Sequence, residues 1–514
     1  MLRRSPGQAM QLSRRMASSF VALFLTIAFL RAAGFAFGIV NVDECDFHLF
    51  ARLVQDGARP YVGVVDNKPP LTYAAYALAN ALGGSHWILA VRVVGVVVVF
   101  LTSVALFAAA RAWAGDVRRA WAAAWLAVAA GLCESPSVSA ELLMNLPVAV
   151  ALWLLARAGR ETAMRARLEA GAGVAACLAA LAKQQAAVLI VAVVVGHLWH
   201  AWVTTPRRAR ARELVQLAPF LLGCAAALSV VAAAFASIGA LGGSVEWLVS
   251  RTFAQVHSGS RFSGGRAAAG VAVCVLAAAP VPWALALWGT RDAPSLFHRI
   301  LVTLLAMTAV AVSIGGRFYE HYFLQFVPPL ALLGAGPLVT LCQRWRERSP
   351  GLRRAALALA ALPVAGYLAY TLGRGLAGGY PLQDGRVRAL ASWVKTHSDP
   401  SDRMFVWGDL SILYCAAERL PGTRYLRASF HVGDLDPEHA DPARLAWHPS
   451  QRDVTATLAD LAANRPALVL DTATGDLHHW ALFPMREVPA LDEYVREHYR
   501  LVARPSDVAV YRRP

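Results

Sequence analysis

Long apolar runs separated by short polar connectors dominate this chain. An apolar helix of about 20 residues crosses the hydrocarbon core of a bilayer. Read in order, candidate spans cover residues 20–40, 87–110, 120–132, 141–155, 171–181, 186–203, 214–240, 267–288, 300–314, 324–341 and 355–372. The third and fifth are short. The connectors alternate in character. After the second span come Arg118 and Arg119, after the fourth Arg165 and Arg167, after the sixth Arg207 and Arg208, and after the tenth Arg344 and Arg346. The positive-inside rule places such clusters, and the basic residues 1–19, on the cytoplasmic side. About eleven spans satisfy that alternation, and an odd number leaves the remainder of the chain outside.

The pattern changes near residue 374. Short β-rich runs at 404–407, 467–470 and 508–511 alternate with helical patterns at 454–463 and 492–498. Alternation of this kind predicts a small α/β unit. The expected fold class is therefore a polytopic α-helical membrane protein with a C-terminal extracytoplasmic α/β domain. Its divisions are a cytoplasmic N-terminus at 1–19, a membrane domain at 20–373 with a first outer loop at 41–86, and the α/β domain at 374–514.

Composition agrees. The 514 residues are 57% hydrophobic and 16% charged, where a soluble chain carries about 25% charged residues. The net charge of +16 does not point to nucleic acid, because the arginines sit between apolar runs. The seven cysteines are scattered, and their spacing predicts neither a zinc site nor a disulfide framework. Lysine occurs only at Lys68, Lys183 and Lys395; the first two fall at predicted outer boundaries.

The candidate chemistry lies in the outer connectors. In the first, Asp43, Glu44 and Asp46 open a predicted helix, and Asp66-Asn67-Lys68-Pro69-Pro70 precedes a second. Both helices are expected to lie on the membrane surface. Acids at a helix start also act simply as caps, and a lysine at this level also anchors to anionic lipid. A carboxylate can equally take a proton from a hydroxyl nucleophile, and a lysine can hold a phosphate. A later connector, GRFYEHYFLQFVPPL, brings Arg317, Glu320, His321 and Tyr322 together. Interfacial anchoring accounts for the aromatics but not for the three ionisable groups. Lys183-Gln184-Gln185 marks a helix break, where a polar cap is the simpler reading. Arg92, inside the second span, is a functional candidate as an intramembrane charge, with an internal ion pair as the alternative. Glu141 and Asn145 share one helix face.

The acid pair, the Lys-Pro-Pro and the Arg-Phe…His-Tyr…Pro turn together resemble the GT-C membrane glycosyltransferases. The branch they resemble holds the protein O-mannosyltransferases and the aminoarabinose and related lipid-sugar transferases. The resemblance covers about residues 20–370. It implies that Asp43 is the base for the acceptor, with Glu44 as the alternative base, an orienting group or a metal ligand. It implies that Lys68, with Arg317 or His321, holds the phosphate of a polyprenyl-phosphate sugar donor. Asp46, Asp66, Arg92, Lys183, Glu320 and Tyr322 complete the expected substrate-binding set. One departure is informative. Aminoarabinose transferases tend to carry an acid immediately before the lysine, and this chain has Asn67 there, which weighs against an amino-sugar donor.

The implied activity is transfer of the sugar, with inversion, to a hydroxyl of an envelope glycolipid, glycan or protein at the periplasmic face of a bacterial inner membrane. A divalent metal ion is left open as a cofactor. A transporter or flippase for lipid-linked sugars, or a non-catalytic assembly protein, is the competing class. A transporter predicts internal repeats and paired broken helices, which the sequence does not display.

Overall fold

A computed structural model describes residues 6–134, 136–258, 264–292, 294–314, 316–432 and 447–514. Every expected span is helical. Among the described residues, seven helices are long and apolar enough to cross a membrane, or eight if one bent pair counts as a single span. The expected count of about eleven is therefore not reached by length and apolarity. The helix Val117–Ala130 has 14 residues, short of the roughly 20 a crossing needs. The helix Arg165–Ala182 opens on Arg165, Arg167 and Glu169. The bent pair, Gly264–Ala277 and Pro280–Gly289, turns by 88°. Its first arm ends in a π-helical stretch, Val271–Ala277, and its second starts at Pro280; both devices interrupt regular helix.

The first connector folds as two helices, Asp43–Gln55 and Pro70–Gly83. The first carries its three acids in the first turn, where the helix dipole favours them. Proline at the start of the second suits a position whose N–H has no helical partner. The two pack through aromatic rings: Phe50 stacks on Tyr73 at 3.7 Å and Phe47 meets Tyr76 edge-on at 5.3 Å. The Pro70–Gly83 helix is a separate element. It ends at Gly84, whose φ is +53°, and the short turn Gly84–His86 leads from it into the helix Trp87–Ala114, against which it packs.

The C-terminal part holds a five-stranded mixed sheet. Its strands are β1 (Arg403–Trp407), β2 (Leu420–Pro421), β3 (Leu468–Asp471), β4 (Arg500–Ala503) and β5 (Ala509–Arg512), in spatial order β2-β1-β3-β5-β4. β1 runs parallel to β2 and β3, and β5 runs antiparallel to β3 and β4. The central strands are buried on both faces, which explains their continuous apolar sequence. Phe405, Trp407 and Val469 pack with Val454, Leu461, Leu491 and Val495 on one side. Met404, Val406, Leu468 and Leu470 join Val387, Leu390 and Val394 in the core that continues into the helical bundle.

Three ties join this sheet to the rest of the chain. Val65 of the first connector pairs with Tyr425. Arg251 makes two bonds to Asp453, of 2.9 and 2.7 Å. Cys45 and Cys415 form a disulfide across 370 residues of sequence. The last is a correction to the cysteine reading: a pair so far apart has no spacing signature. Cys415→Ser should lower the thermal unfolding midpoint of the purified protein, since removing a native disulfide typically costs about 2–5 kcal/mol. Reductant should lower the wild-type midpoint by a similar amount and leave the variant unchanged.

Candidate active site

A cavity of about 610 Å3 lies where the helix ends meet the C-terminal sheet. Its wall takes Asp43, Asp66 and Lys68 from the first connector, Glu134 and Lys183 from the next two, and Arg317 to Tyr322 from the later turn. Every connector expected outside thus contributes to it, and among the described residues none of the arginine-rich connectors does. Arg266 lines it from the first arm of the bent helix, and Arg374 from the end of the last apolar helix. The C-terminal part contributes Asp409, Ser411, Arg427 and His478.

Asp43 sits in the first turn of its helix, so its carboxylate points out of the bundle end. Arg427 Nη2 lies 2.7 Å from Asp43 Oδ1 and also contacts the buried Asp46 carboxylate. Burial alone would push the Asp43 carboxyl up. The Lys68 and Arg427 charges, with His321, outweigh it and hold Asp43 well below the usual carboxylate range. Burial likewise acts to lower Lys68, but Asp43 and Asp66 overcome it and raise the ammonium above its ordinary value. Asp66 is raised by its own burial, with Lys68 pulling the other way. Lys68 also donates to Asn67 Oδ1 at 3.1 Å. Asn67 therefore steadies the lysine head without adding the charge an acid would bring.

Lys183 stands in an extended residue between the helix Arg165–Ala182 and the turn Gln184–Ala187. It pairs with Glu141 at 2.8 Å and lies over the Tyr322 ring, 5.2 Å from its centre. The glutamines hold the break together. Gln184 donates to the Asn67 carbonyl at 2.6 Å and Gln185 to the Ala311 carbonyl at 3.0 Å. Asn145 donates to the Leu324 carbonyl at 2.9 Å, so it braces the turn from behind. In that turn, Phe318 has φ of +50°, a left-handed conformation that costs a bulky residue about 1–3 kcal/mol. Arg317 and Tyr319 flank it on the cavity wall. His321 stacks on Tyr319 at 5.5 Å and meets Tyr322 edge-on at 4.9 Å.

Three expected site residues take other places. Glu44 and Arg92 form a buried ion pair, each side chain 1% exposed. Arg92 Nη2 reaches Glu44 Oε2 at 2.7 Å, and the same guanidinium donates to the carbonyls of Gly34, Gly38 and Pro136. Glu44 also accepts from the N–H groups of Val40 and Val138. Neither lines the cavity; the structure places both in this ion pair, the alternative the sequence left open for Arg92. Asp46 is buried behind Asp43 on Arg427 and is not a wall residue. Among the described residues, no group of three or more His, Cys, Asp or Glu is arranged to hold a metal ion. Arg427, Asp409, Arg266 and Glu134 carried no sequence signal; they reach the cavity through tertiary packing alone.

No protein-family model matches the chain, and no curated protein matches it in sequence. Solved structures do. ArnT from Cupriavidus metallidurans bound to undecaprenyl phosphate aligns with a TM-score of 0.62 at 17% identity, over 96% of this chain and 97% of that one. The Archaeoglobus fulgidus oligosaccharyltransferase in its apo form aligns at 0.55 and 11% identity, over 96% and 74%. The chain has the GT-C fold. It is a multi-pass membrane protein, and the alignment runs through the C-terminal sheet as well as the helices. The Glu44–Arg92 pair is buried next to the cavity-lining stretch Val40–Asp43. Arg92→Met strands a buried carboxylate and should cost about 3–5 kcal/mol, read as a lower unfolding midpoint in detergent. Adding Glu44→Gln should recover part of the loss; a double variant no more stable than the single one would contradict the pairing.

Proposed function

We infer that the protein transfers a sugar from a polyprenyl-phosphate-linked donor to a hydroxyl group of an envelope glycolipid, glycan or protein. The observation that carries this reading is the meeting of Asp43, Lys68 and the Arg317–Tyr322 turn in one cavity at the ends of apolar helices. ArnT was solved with undecaprenyl phosphate, and an Archaeoglobus fulgidus oligosaccharyltransferase, AglB, with a dolichol-phosphate. A lipid phosphate of that class suits a cavity opening between apolar helices, with lysine and arginine on its wall.

In this mechanism the acceptor oxygen attacks the anomeric carbon from the face opposite the phosphate. The bond from that carbon to the phosphate oxygen breaks, and its electron pair leaves with the lipid phosphate. The acceptor proton passes to Asp43. Lys68 with Arg317 or His321 holds the departing phosphate, where fixed cations stabilise growing charge. The configuration inverts. The Cys45–Cys415 bond supports an extracytoplasmic site, because disulfides persist in oxidising compartments. The bacterial plasma membrane, with this face to the periplasm, is the location that fits.

The test is mass spectrometry of envelope glycolipids and glycoproteins from a deletion strain, complemented with wild type or Asp43→Asn. One sugar should disappear on deletion, return with wild type and stay absent with the variant. Full restoration by Asp43→Asn would remove Asp43 as the base. An unchanged envelope without build-up of lipid-linked sugar would overturn the transferase reading.

A further inference from the structure

Arg427 is fixed in place more firmly than a surface arginine. Its segment is held on both sides by main-chain bonds. Val65 N–H donates to the Arg424 carbonyl at 3.0 Å, and Ala428 N–H donates to the Gly408 carbonyl at 3.0 Å. Arg424 forks onto Asp460 with bonds of 2.8 and 2.7 Å, and the Tyr425 hydroxyl donates to Asp453 at 2.8 Å. The Cys45–Cys415 bond joins the same two regions, and Cys45 lies between Asp43 and Asp46 in sequence. The guanidinium ends among three carboxylates: Asp43 at 2.7 Å, Asp46 in contact, and Asp409 with Oδ1 3.9 Å from Nε.

We propose that Arg427 is a positioning residue for the transfer, supplied by the C-terminal part, which keeps Asp43 ionised and aimed once the donor phosphate has engaged Lys68. This rests on the transferase reading. The groups acting on Asp43 come from every element around it. Glu44 and Asp46 share its helix, and Asp66 and Lys68 follow in the same connector. His321 faces it from the later turn, and Asp409 and Arg427 face it from the sheet. Without a donor, Lys68 and Arg427 both favour the carboxylate. A bound phosphate brings negative charge beside Asp43 and takes up the Lys68 head. Asp46, Asp66 and Asp409 then all favour protonation, and a protonated Asp43 cannot receive the acceptor proton. Arg427 is a cation already in contact with Asp43, and Asp46 holds its guanidinium there. The C-terminal part is thus a working wall of the site rather than an appended module.

The experiment measures the maximal transfer rate against pH for the full-length protein in lipid vesicles. The donor is the total polyprenyl-phosphate sugar fraction extracted from a deletion strain, and the acceptor is envelope material from that strain. Loss of a neighbouring cation raises an acid's pKa, so Asp43 would take up its proton at higher pH. In Arg427→Gln the acid limb should therefore move up by about 1–3 units. Arg427→Lys, which keeps the charge, should leave the limb near wild type. Arg452→Gln, at an exposed arginine pairing with Glu246, is the control for general loosening and should leave it unmoved. A limb in Arg427→Gln that coincides with wild type overturns the proposal, as does an equal shift in Arg452→Gln. If Arg427→Gln does not fold, Arg427→Lys decides. Its single head cannot span Asp43 and Asp46, so its maximal rate should fall about tenfold with KM little changed; a wild-type rate overturns the proposal. A wild type that moves no sugar overturns the transferase reading as well, which separates the two failures.

Discussion

The ion pair between Arg92 and Glu44 sets the geometry of everything around it. Two charges removed from water and from lipid headgroups are stable only if they meet each other and every remaining donor and acceptor is satisfied. Here they are. The guanidinium draws in the carbonyls of Gly34, Gly38 and Pro136, and the carboxylate takes the N–H groups of Val40 and Val138. Four stretches of chain converge on one point: the end of the first helix, the start of the acid helix, the long second span, and the connector after residue 134. Gly38 makes its sharp turn with φ of +69°, a conformation glycine adopts without the penalty of a Cβ. Asp43 is the residue before Glu44, so anchoring the second carboxylate fixes the direction of the first.

A second set of constraints comes from the far end of the chain. The sheet does not hang from the bundle on a linker. Its Met404–Leu470 face shares a core with the helices, and a disulfide, a β-bridge and the Arg251–Asp453 fork hold the two parts together. The wall formed by Asp409, Ser411 and Arg427 is therefore joined to the helices and not carried on a free linker. The cavity's electrostatics follow from that. Acids and bases from different elements meet in and beside it, Arg427 with Asp43 and Lys183 with Glu141.

The sequence makes some of this legible and hides the rest for physical reasons. Hydropathy runs mark helices because lipid leaves the backbone no other way to satisfy its hydrogen bonds, and all the expected runs are helical. The three main β-rich segments fall on β1, β3 and β5, whereas β2, two residues long, and the exposed β4 carry too little apolar signal. Asp43, Asp66, Lys68, Lys183 and the Arg317–Tyr322 turn can be picked out because polar residues clustered at a span end are conspicuous. Glu44 and Asp43 cannot be told apart in sequence. They are neighbours of the same chemistry, and only the 100° between successive helical positions sends one into the bundle and the other to the cavity. Arg427 is hidden for a similar reason: it is one arginine among many in the C-terminal part, and its partner lies 384 positions away.

The distribution of sequence signal also explains how a fold can be shared at 17% identity or less. Lipid-facing positions need only be apolar, so one aliphatic residue substitutes for another at little cost. Helix breaks are less free. The extended Lys183, the left-handed Phe318 and the Pro69-Pro70 entry each place a polar group where a regular helix would have carried it past the cavity. A site assembled from such breaks requires a few residues at each of several distant connectors, with long stretches between them under only a hydropathy constraint. The C-terminal wall has no such anchoring motif. Its contribution comes from the residues that the sheet and its loops bring to the cavity, Asp409, Ser411 and Arg427.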